Sequence, residues 1–225
     1  MPQHSGVTTE ARAAPPHLRP ASGLAGVAPG RVGASLYREH MDASASPLAF
    51  ALFPTAIGTC AVVWRPDGAI VGSALSHDSP DELRRTVTRW YRGAVEATPP
   101  PPVARATDGV RELLTSGTGD LADVELDLRT VPDFDRRVYE VVRTIPPGDT
   151  LTYGEVAHRL GAPGAAQAVG QALGRNPFPP IVPCHRVLAA GRHVGGFSAR
   201  GGRRTKLRLL ATEGVHLEQP TLFDL

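Results

Sequence analysis

The chain has 225 residues, of which 41% are hydrophobic and 20% are charged, and its formal net charge is +2. These are ordinary proportions for a globular protein long enough to bury a core, and no stretch approaches the roughly 18 apolar residues of a membrane span. Two cysteines and no apolar signal segment exclude a disulfide scaffold and indicate a protein of the reducing cytoplasm.

Residues 1–46 are rich in Ala, Pro, Gly and Ser without an apolar period, so we predict a disordered tail. Three strand-like runs follow at 48–53, 59–64 and 69–74, and the Pro-Asp-Gly turn before the third predicts a small antiparallel sheet. Asp78-Ser79-Pro80 predicts the start of a helix that runs to about Val95. A stiff proline connector at 98–102, a second helix and a strand at 124–128 complete a predicted N-terminal domain, 47–131.

A second domain is predicted at 132–216, followed by a tail at 217–225. Its first helix begins at Asp133 or Asp135 and ends before the Pro-Pro-Gly stretch at 145–149. Thr152 and Glu155 have capping-box spacing for a helix at 153–160, and a helix of small residues follows at 165–174. Helix, short turn and helix predict a helix-turn-helix, which many proteins use on DNA and others only for packing.

Positive charge is concentrated in this second part of the chain. Residues 1–133 carry 12 basic and 15 acidic side chains, whereas residues 134–225 carry 12 and 7. An excess of this kind either faces a polyanion such as DNA or is a solvated surface with a chance imbalance. The charge distribution alone leaves both interpretations open.

The segment Pro183-Cys184-His185-Arg186-Val187 holds the residues best suited to covalent chemistry. A cysteine attacks as its thiolate, and a neighbouring imidazole can take the proton. Adjacent side chains on an extended segment point in opposite directions, so we favour transfer through one water over direct contact. Glu213, near a predicted helix end, is the candidate acid that orients His185. On the Cys-His pair alone, a buried structural cysteine beside a surface His-Arg pair is the alternative.

Residues 134–214 resemble the O6-alkylguanine-DNA alkyltransferase family in five motifs that occur in the same order. The motifs are Ile-Pro-Pro-Gly-Asp-Thr-Leu-Thr-Tyr at 145–153, Ala-Ala-Gln-Ala-Val-Gly at 165–170, Asn-Pro-Phe-Pro-Pro-Ile-Val-Pro-Cys-His-Arg-Val at 176–187, Gly-Gly-Phe-Ser at 195–198, and 206–213. The N-terminal part is similar only in length, strand pattern and position. The resemblance implies an α+β fold, with a small RNase H-like antiparallel-sheet domain followed by a helical domain with a winged-helix-like helix-turn-helix.

The resemblance also implies an activity. Cys184 would accept an alkyl group irreversibly from O6 of a guanine flipped out of duplex DNA, with O4 of thymine as a further candidate. One monomer would repair one base, without cofactor or metal and away from membranes. His185 and Glu213 would activate the thiol, while Tyr153 would bind N3 of the base and supply a proton. The implied substrate-binding residues are Val187, Ser198, Asn176 and Lys206, and the implied DNA contacts are Gln167, Ala166, Arg175 and Arg186.

The chain departs from the family pattern at two positions. Gln167 stands where the family has an arginine that enters the base stack, and it lacks the charge and the planar guanidinium. Phe197 stands where a tyrosine is common, which removes only a hydroxyl. The main alternative function is a non-catalytic protein of the same fold that binds alkylated bases. A helix-turn-helix regulator and a cysteine hydrolase or thiol redox enzyme are further alternatives, although no dimer, ligand domain or Cys-x-x-Cys motif supports them.

Overall fold

The computed structural model describes residues 47–77, 79–119 and 121–217. The predicted tail at 1–46 and nearly all of the tail at 217–225 lie outside these residues. The α+β prediction is confirmed, since a small sheet precedes a helical C-terminal half. The predicted division into two domains stays a prediction, and its boundary falls between the second and third α-helices. Within the described part of the chain, no helix has the length and apolarity that crossing a membrane requires.

The sheet forms from three antiparallel strands and one short parallel strand, in the order β3-β2-β1-β4. The antiparallel strands are β1 (Ala49–Thr55), β2 (Gly58–Trp64) and β3 (Ile70–His77), and β4 is Val95–Glu96. The turn before β3 is closed by a hydrogen bond from Gly68 N to Arg65 O of 2.8 Å. The predicted hairpin chemistry is thus confirmed.

The first helix, α1 (Pro80–Trp90), ends earlier than predicted. Ser79 caps its start by accepting a hydrogen bond from Glu82 N, as the sequence indicated. The predicted end at Val95 is wrong, because Val95 N donates to Leu48 O at 2.9 Å and so joins β4 to β1. Sheet hydrogen bonds with a distant strand therefore prevail over continuation of the helix.

The second helix, α2 (Pro101–Ser116), begins inside the stretch that was predicted to be a stiff connector. Pro101 and Pro102 fill its first turn, where backbone N–H groups have no partner within the helix, so proline is tolerated there. The strand predicted at 124–128 is reduced to a single bridge between Ile70 and Leu126. Its backbone hydrogen bonds are made by Glu125 O and Asp127 N, both with Ile70.

Between residues 121 and 217, the C-terminal half contains four α-helices and two short strands. The helices are α3 (Asp133–Arg143), α4 (Tyr153–Arg159), α5 (Ala166–Gly174) and α6 (Gly202–Thr212). The strands β5 (Leu151–Thr152) and β6 (Val187–Leu188) pair in parallel, and 3-10 turns cover Cys184–Arg186 and Ala190–Arg192. Helix α3 starts at Asp133, and the capping box of Thr152 and Glu155 at α4 is confirmed.

The two halves share one core and meet at the segment that carries Cys184. One cluster of buried apolar residues includes Trp64 and Leu113 from the first half and Val138 and Val182 from the second. Ser73 on β3 donates from its backbone N to Pro177 O and from its hydroxyl to Pro179 O, both at 2.8 Å. The sheet therefore positions the backbone that leads into the 3-10 turn of Cys184.

Gly117, which ends α2, lies against the end of α6. Its φ is +76°, and a Cβ placed on it would come within 2.2 Å of the carbonyl oxygen of Thr212 and 2.8 Å of Glu213 Cα. Both the left-handed backbone and the close approach therefore require glycine at this position. The first half of the chain thus touches the backbone of a predicted catalytic residue.

Candidate active site

Cys184 lies at the start of a buried 3-10 turn, with 7% of its surface exposed. Burial raises the pKa of its thiol, and the side chain of Asn176 and the charge of Lys206 act in the opposite direction. Asn176 is itself fixed, since its Nδ2 donates to Val182 O and its Oδ1 accepts from Phe178 N, each at 2.9 Å. The thiol is therefore held in its neutral form beside two groups that favour the thiolate.

A buried network of charges begins at the two residues that follow Cys184. His185 Nε2 is 2.8 Å from Glu213 Oε1, and Arg186 donates to both oxygens of the same carboxylate at 2.9 Å. Arg186 also donates to Ile145 O at 2.6 Å. These contacts join the 3-10 turn of Cys184 to the C-terminal end of α6 and to the segment before β5.

In this network the imidazole of His185 is neutral and the carboxylate of Glu213 is ionised. Burial opposes the charge on Glu213, but hydrogen bonds from His185 and Arg186 outweigh it and lower the pKa of Glu213 to about 2. Burial lowers the pKa of His185, although Glu213 acts in the opposite direction. Since a carboxylate only accepts, Nε2 of the neutral ring donates to Glu213 and Nδ1 is left as the acceptor. His185 is thus in the form that can take a proton.

The extended conformation predicted for Cys184 and His185 is wrong. A hydrogen bond of 2.9 Å from Arg186 N to Pro183 O closes this segment into a turn. Within the described residues, His185 Nδ1 is buried and has no hydrogen-bond partner. An acceptor of this kind suits one bridging water, so proton transfer through water stays a prediction on new grounds.

Tyr153 is half-buried at the start of α4 and is enclosed on both sides by small residues. A Cβ on Gly170 of α5 would lie 3.8 Å from its ring, and a Cβ on Gly195 would lie 3.7 Å from the opposite edge. Burial and the neighbouring Cys184 raise the pKa of Tyr153. The phenol therefore keeps its proton and is a hydrogen-bond donor at this site.

Lys206 of α6 is fully buried beside the same tyrosine. Its Nζ donates to Val187 O at 2.5 Å and lies 5.8 Å from the centre of the Tyr153 ring. Burial lowers the pKa of Lys206 to about 8, against the opposing effect of Cys184. The lysine thus provides a nearby positive charge for a thiolate and fixes the carbonyl of Val187.

Two clefts reach Cys184 from different sides. The first, which we call the Tyr153 cleft, measures about 320 Å³ and is lined by Tyr153, Gly170, Leu173, Cys184, Phe197 and Ser198. The second measures about 260 Å³ and lies between β3, α1 and residues 198–200. An ion pair of 2.5 Å between Arg200 and Glu82 spans the second cleft. The Tyr153 cleft opens beside α5 and is therefore the better entrance for a base delivered by the helix-turn-helix.

The predicted DNA-contact residues divide into two groups. Ala166 is partly exposed and Gln167 is exposed in the first turn of α5. Arg186 is only 6% exposed and is occupied by Glu213, so its predicted DNA contact is corrected to a structural role. Arg175 pairs through two nitrogens with the buried Asp135 of α3, which neutralises its charge and holds the end of α5.

Two functional contributions are not visible in the sequence. Arg186 clamps Glu213 across 27 residues, and Ser73 supports the Cys184 segment across more than 100. No spacing rule connects residues so far apart, although the placement of Arg186 next to His185 was a signal that it belongs to the site.

The buried network predicts a loss of stability in acid. Because the folded-state pKa of Glu213 is about 2 and its ordinary value is 4.5, this carboxylate stabilises the fold above pH 4.5 and stops doing so as the pH falls toward 2. The difference corresponds to roughly 3 kcal/mol. The lowered pKa of His185 acts in the same direction below its ordinary value of 6.5. Urea unfolding between pH 7 and 3 should therefore show a falling free energy of unfolding, and a flat profile would contradict an ionised Glu213 beside a neutral His185.

Comparisons with known proteins agree on one family. The model for the DNA-binding domain of 6-O-methylguanine DNA methyltransferase matches residues 133–215. A methylated-DNA–protein-cysteine methyltransferase of Mycolicibacterium paratuberculosis is 50% identical over 103 residues, 45% of this chain but only 61% of that relative. The enzyme of the same name from Methanothermobacter thermautotrophicus is 42% identical over 123 residues, 55% of this chain and 68% of its own length. The crystal structure of Mycobacterium tuberculosis OGT in complex with DNA has a TM-score of 0.59 at 33% identity, over 73% of this chain and 92% of that one.

Proposed function

Since the chain belongs to the 6-O-methylguanine DNA methyltransferase family, we propose that it repairs DNA by moving an alkyl group from O6 of guanine to Cys184. The transfer is irreversible, so each molecule acts once. The observation that carries this proposal is that Cys184 lines the Tyr153 cleft, with the charge of Lys206 favouring its thiolate and the His185–Glu213 pair beginning at the next residue. These are the groups that a thiolate nucleophile needs.

The helix-turn-helix brings the protein to duplex DNA. Relatives that bind DNA and the exposed first turn of α5 support this partner. Phosphate contacts hold the duplex without reading its sequence, and the damaged guanine, which pairs poorly, costs less to flip out of the stack. The base then enters between Tyr153 and Ser198.

The chemical step is a displacement at the alkyl carbon. The thiol proton passes through one water to His185 Nδ1, and the Cys184 sulfur forms a bond to carbon as the bond from carbon to O6 breaks. The electron pair of that bond goes to the guanine, where the Tyr153 phenol donates to N3 and relieves the developing charge. Tyr153 gives its phenol proton to N3, His185 releases the thiol proton to solvent and Tyr153 regains a proton from solvent, so the net change is one proton lost by the thiol and one gained by the base.

The same geometry argues against a protein that only binds alkylated bases. Such a protein needs the cleft but has no use for a thiol whose thiolate form is favoured by the Asn176 side chain and the charge of Lys206. Gln167 is the feature that favours weaker DNA binding or base flipping, because glutamine lacks the charge and the planar guanidinium of arginine. We further propose that the protein acts as a monomer in the cytoplasm, in keeping with its two free cysteines.

The proposal is tested by the stoichiometry of transfer. The protein is incubated with excess duplex DNA containing one O6-methylguanine, and the intact mass and the peptide containing Cys184 are measured. We expect one methyl group per protein, located on Cys184, and no further repair after that. An unmodified Cys184, or several bases repaired per molecule, would contradict the proposed function.

A further inference from the structure

The turn that follows β6 carries an exposed arginine in an unfavourable backbone conformation. Arg192 has a φ of +59°. Among the residues that the structure describes, it is the only non-glycine residue with a positive φ. It follows Gly191, whose φ is +68°, so both central residues of the turn are left-handed. This is the pattern of a type I′ turn, where glycine is strongly preferred over a residue with a long side chain. An arginine at a position whose backbone favours glycine indicates that its side chain has a function.

The turn is held firmly, so the position of Arg192 is defined. Ala189 N donates to His193 O at 2.8 Å and closes the loop. The guanidinium donates through one nitrogen to the hydroxyl of Thr150 at 2.8 Å, just before β5, and the residue as a whole is exposed. The arginine is thus oriented by a hydrogen bond that uses only part of the donor capacity of its guanidinium.

This turn borders the mouth of the Tyr153 cleft. Gly195, three residues beyond Arg192, lies against the Tyr153 ring on the edge opposite Gly170 of α5. Three residues of chain span at most about 11 Å, which bounds the distance between the Cα atoms of Arg192 and Gly195. Residues 196–198 continue the chain from this turn and line the cleft together with α5, so the turn leads directly into one side of the entrance.

The chain near the turn carries exposed charges of both signs, with Arg192 and Arg159 on one hand and Glu155 and Asp149, next to Thr150, on the other. The carboxylate of Glu155 is close enough for both Arg192 and Arg159 to lower its pKa, after the larger effect of its hydrogen bonds with Thr152. Glu155 is itself occupied with capping α4. The Arg192 guanidinium donates to the uncharged hydroxyl of Thr150, and a guanidinium placed in this way suits a phosphate.

We propose that Arg192 binds a backbone phosphate of the DNA strand that carries the flipped nucleotide. The inference rests on the proposed function, because it assumes that DNA approaches the Tyr153 cleft. It assigns to the 189–195 turn a DNA contact separate from α5. Arg192 would then supply a positive charge that α5 lacks at Gln167. A phosphate contact of this kind adds affinity and salt dependence without adding sequence preference.

The test compares Arg192→Gly, Arg192→Lys and the control Arg105→Ala, which removes an equally exposed arginine from α2. Equilibrium binding to unmodified duplex DNA is measured between 50 and 200 mM salt. For Arg192→Gly we expect weaker binding and a slope of log K against log salt smaller in magnitude by about 0.9, so that its deficit shrinks roughly 3.5-fold over this range. Arg192→Lys should retain most of the slope, and Arg105→Ala should match the native protein.

A stability measurement separates this role from a structural one. Because glycine suits a φ of +59°, Arg192→Gly should melt at the same temperature as the native protein or higher. Wild-type affinity and slope in Arg192→Gly, or an equal loss in Arg105→Ala, would overturn the inference. If native protein transfers methyl groups while Arg192→Gly binds normally, only the inference fails. If native protein transfers none, the proposed function fails.

Discussion

Cys184→Ser is expected to abolish alkyl transfer while leaving the fold and the affinity for DNA intact. A hydroxyl is far less acidic than a thiol, so neither the charge of Lys206 nor the neutral imidazole of His185 would generate the nucleophile. The replacement changes one buried atom, whose neighbour Asn176 can hydrogen-bond the hydroxyl. The expected loss is complete in an assay of methyl transfer from duplex DNA containing O6-methylguanine.

Cys60→Ser is the matched control for this prediction. Cys60 is also a buried free cysteine, but it lies on β2 beside the Thr55 hydroxyl at 3.5 Å, and burial raises its pKa to about 11. The control should transfer one methyl group per molecule, as the native protein does. Residual transfer in Cys184→Ser, or its loss in Cys60→Ser, would show that the acceptor is not Cys184.

Glu213→Gln is expected to damage both stability and rate. The amide keeps the size of the side chain but removes the charge, which leaves Arg186 buried without its counter-ion. Removing one partner of a buried ion pair typically costs about 3–5 kcal/mol. The imidazole also loses the group that fixes its tautomer, so the single-turnover rate should fall on the order of 10²-fold or more.

The two effects can be measured separately. The rate is followed at a temperature where urea unfolding shows the variant to be folded, and the pH dependence of the rate is compared with that of the native protein. Glu155→Gln is the control, because it alters another carboxylate at a helix end but only weakens the cap of α4, at about 1 kcal/mol. A Glu213→Gln protein that reacts at the native rate would remove Glu213 from the mechanism.

Local sequence chemistry was enough to predict most of the fold. The turn before β3, the Ser79 cap and the capping box at Thr152 depend on neighbouring residues, so their patterns survive folding. The predictions for β4 and for the segment at 124–128 failed, since those segments depend on hydrogen bonds to strands far away in the chain. Pro101 and Pro102 were misread because proline suits a connector and a first helical turn equally well.

The active site could be predicted as a set of residue types but not as a network. Cys184, His185, Tyr153 and Lys206 lie together, as the resemblance to the alkyltransferase family implied. The sequence did not distinguish a buried Arg186 from one that faces phosphate, because both need the same side chain and differ only in burial. The left-handed conformation of Arg192 was likewise invisible, since it is set by the closure of its turn.

The contact of Gly117 with the end of α6 bears on how inherited variation in this protein should be interpreted. A side chain at Gly117 would collide with the backbone of Thr212 and Glu213 and displace the carboxylate that orients His185. Under the proposed function, cells with such an allele are expected to be sensitive to alkylating agents although every residue of the signature around Cys184 is intact. A genetic screen that sequenced only the signature would classify that allele as functional.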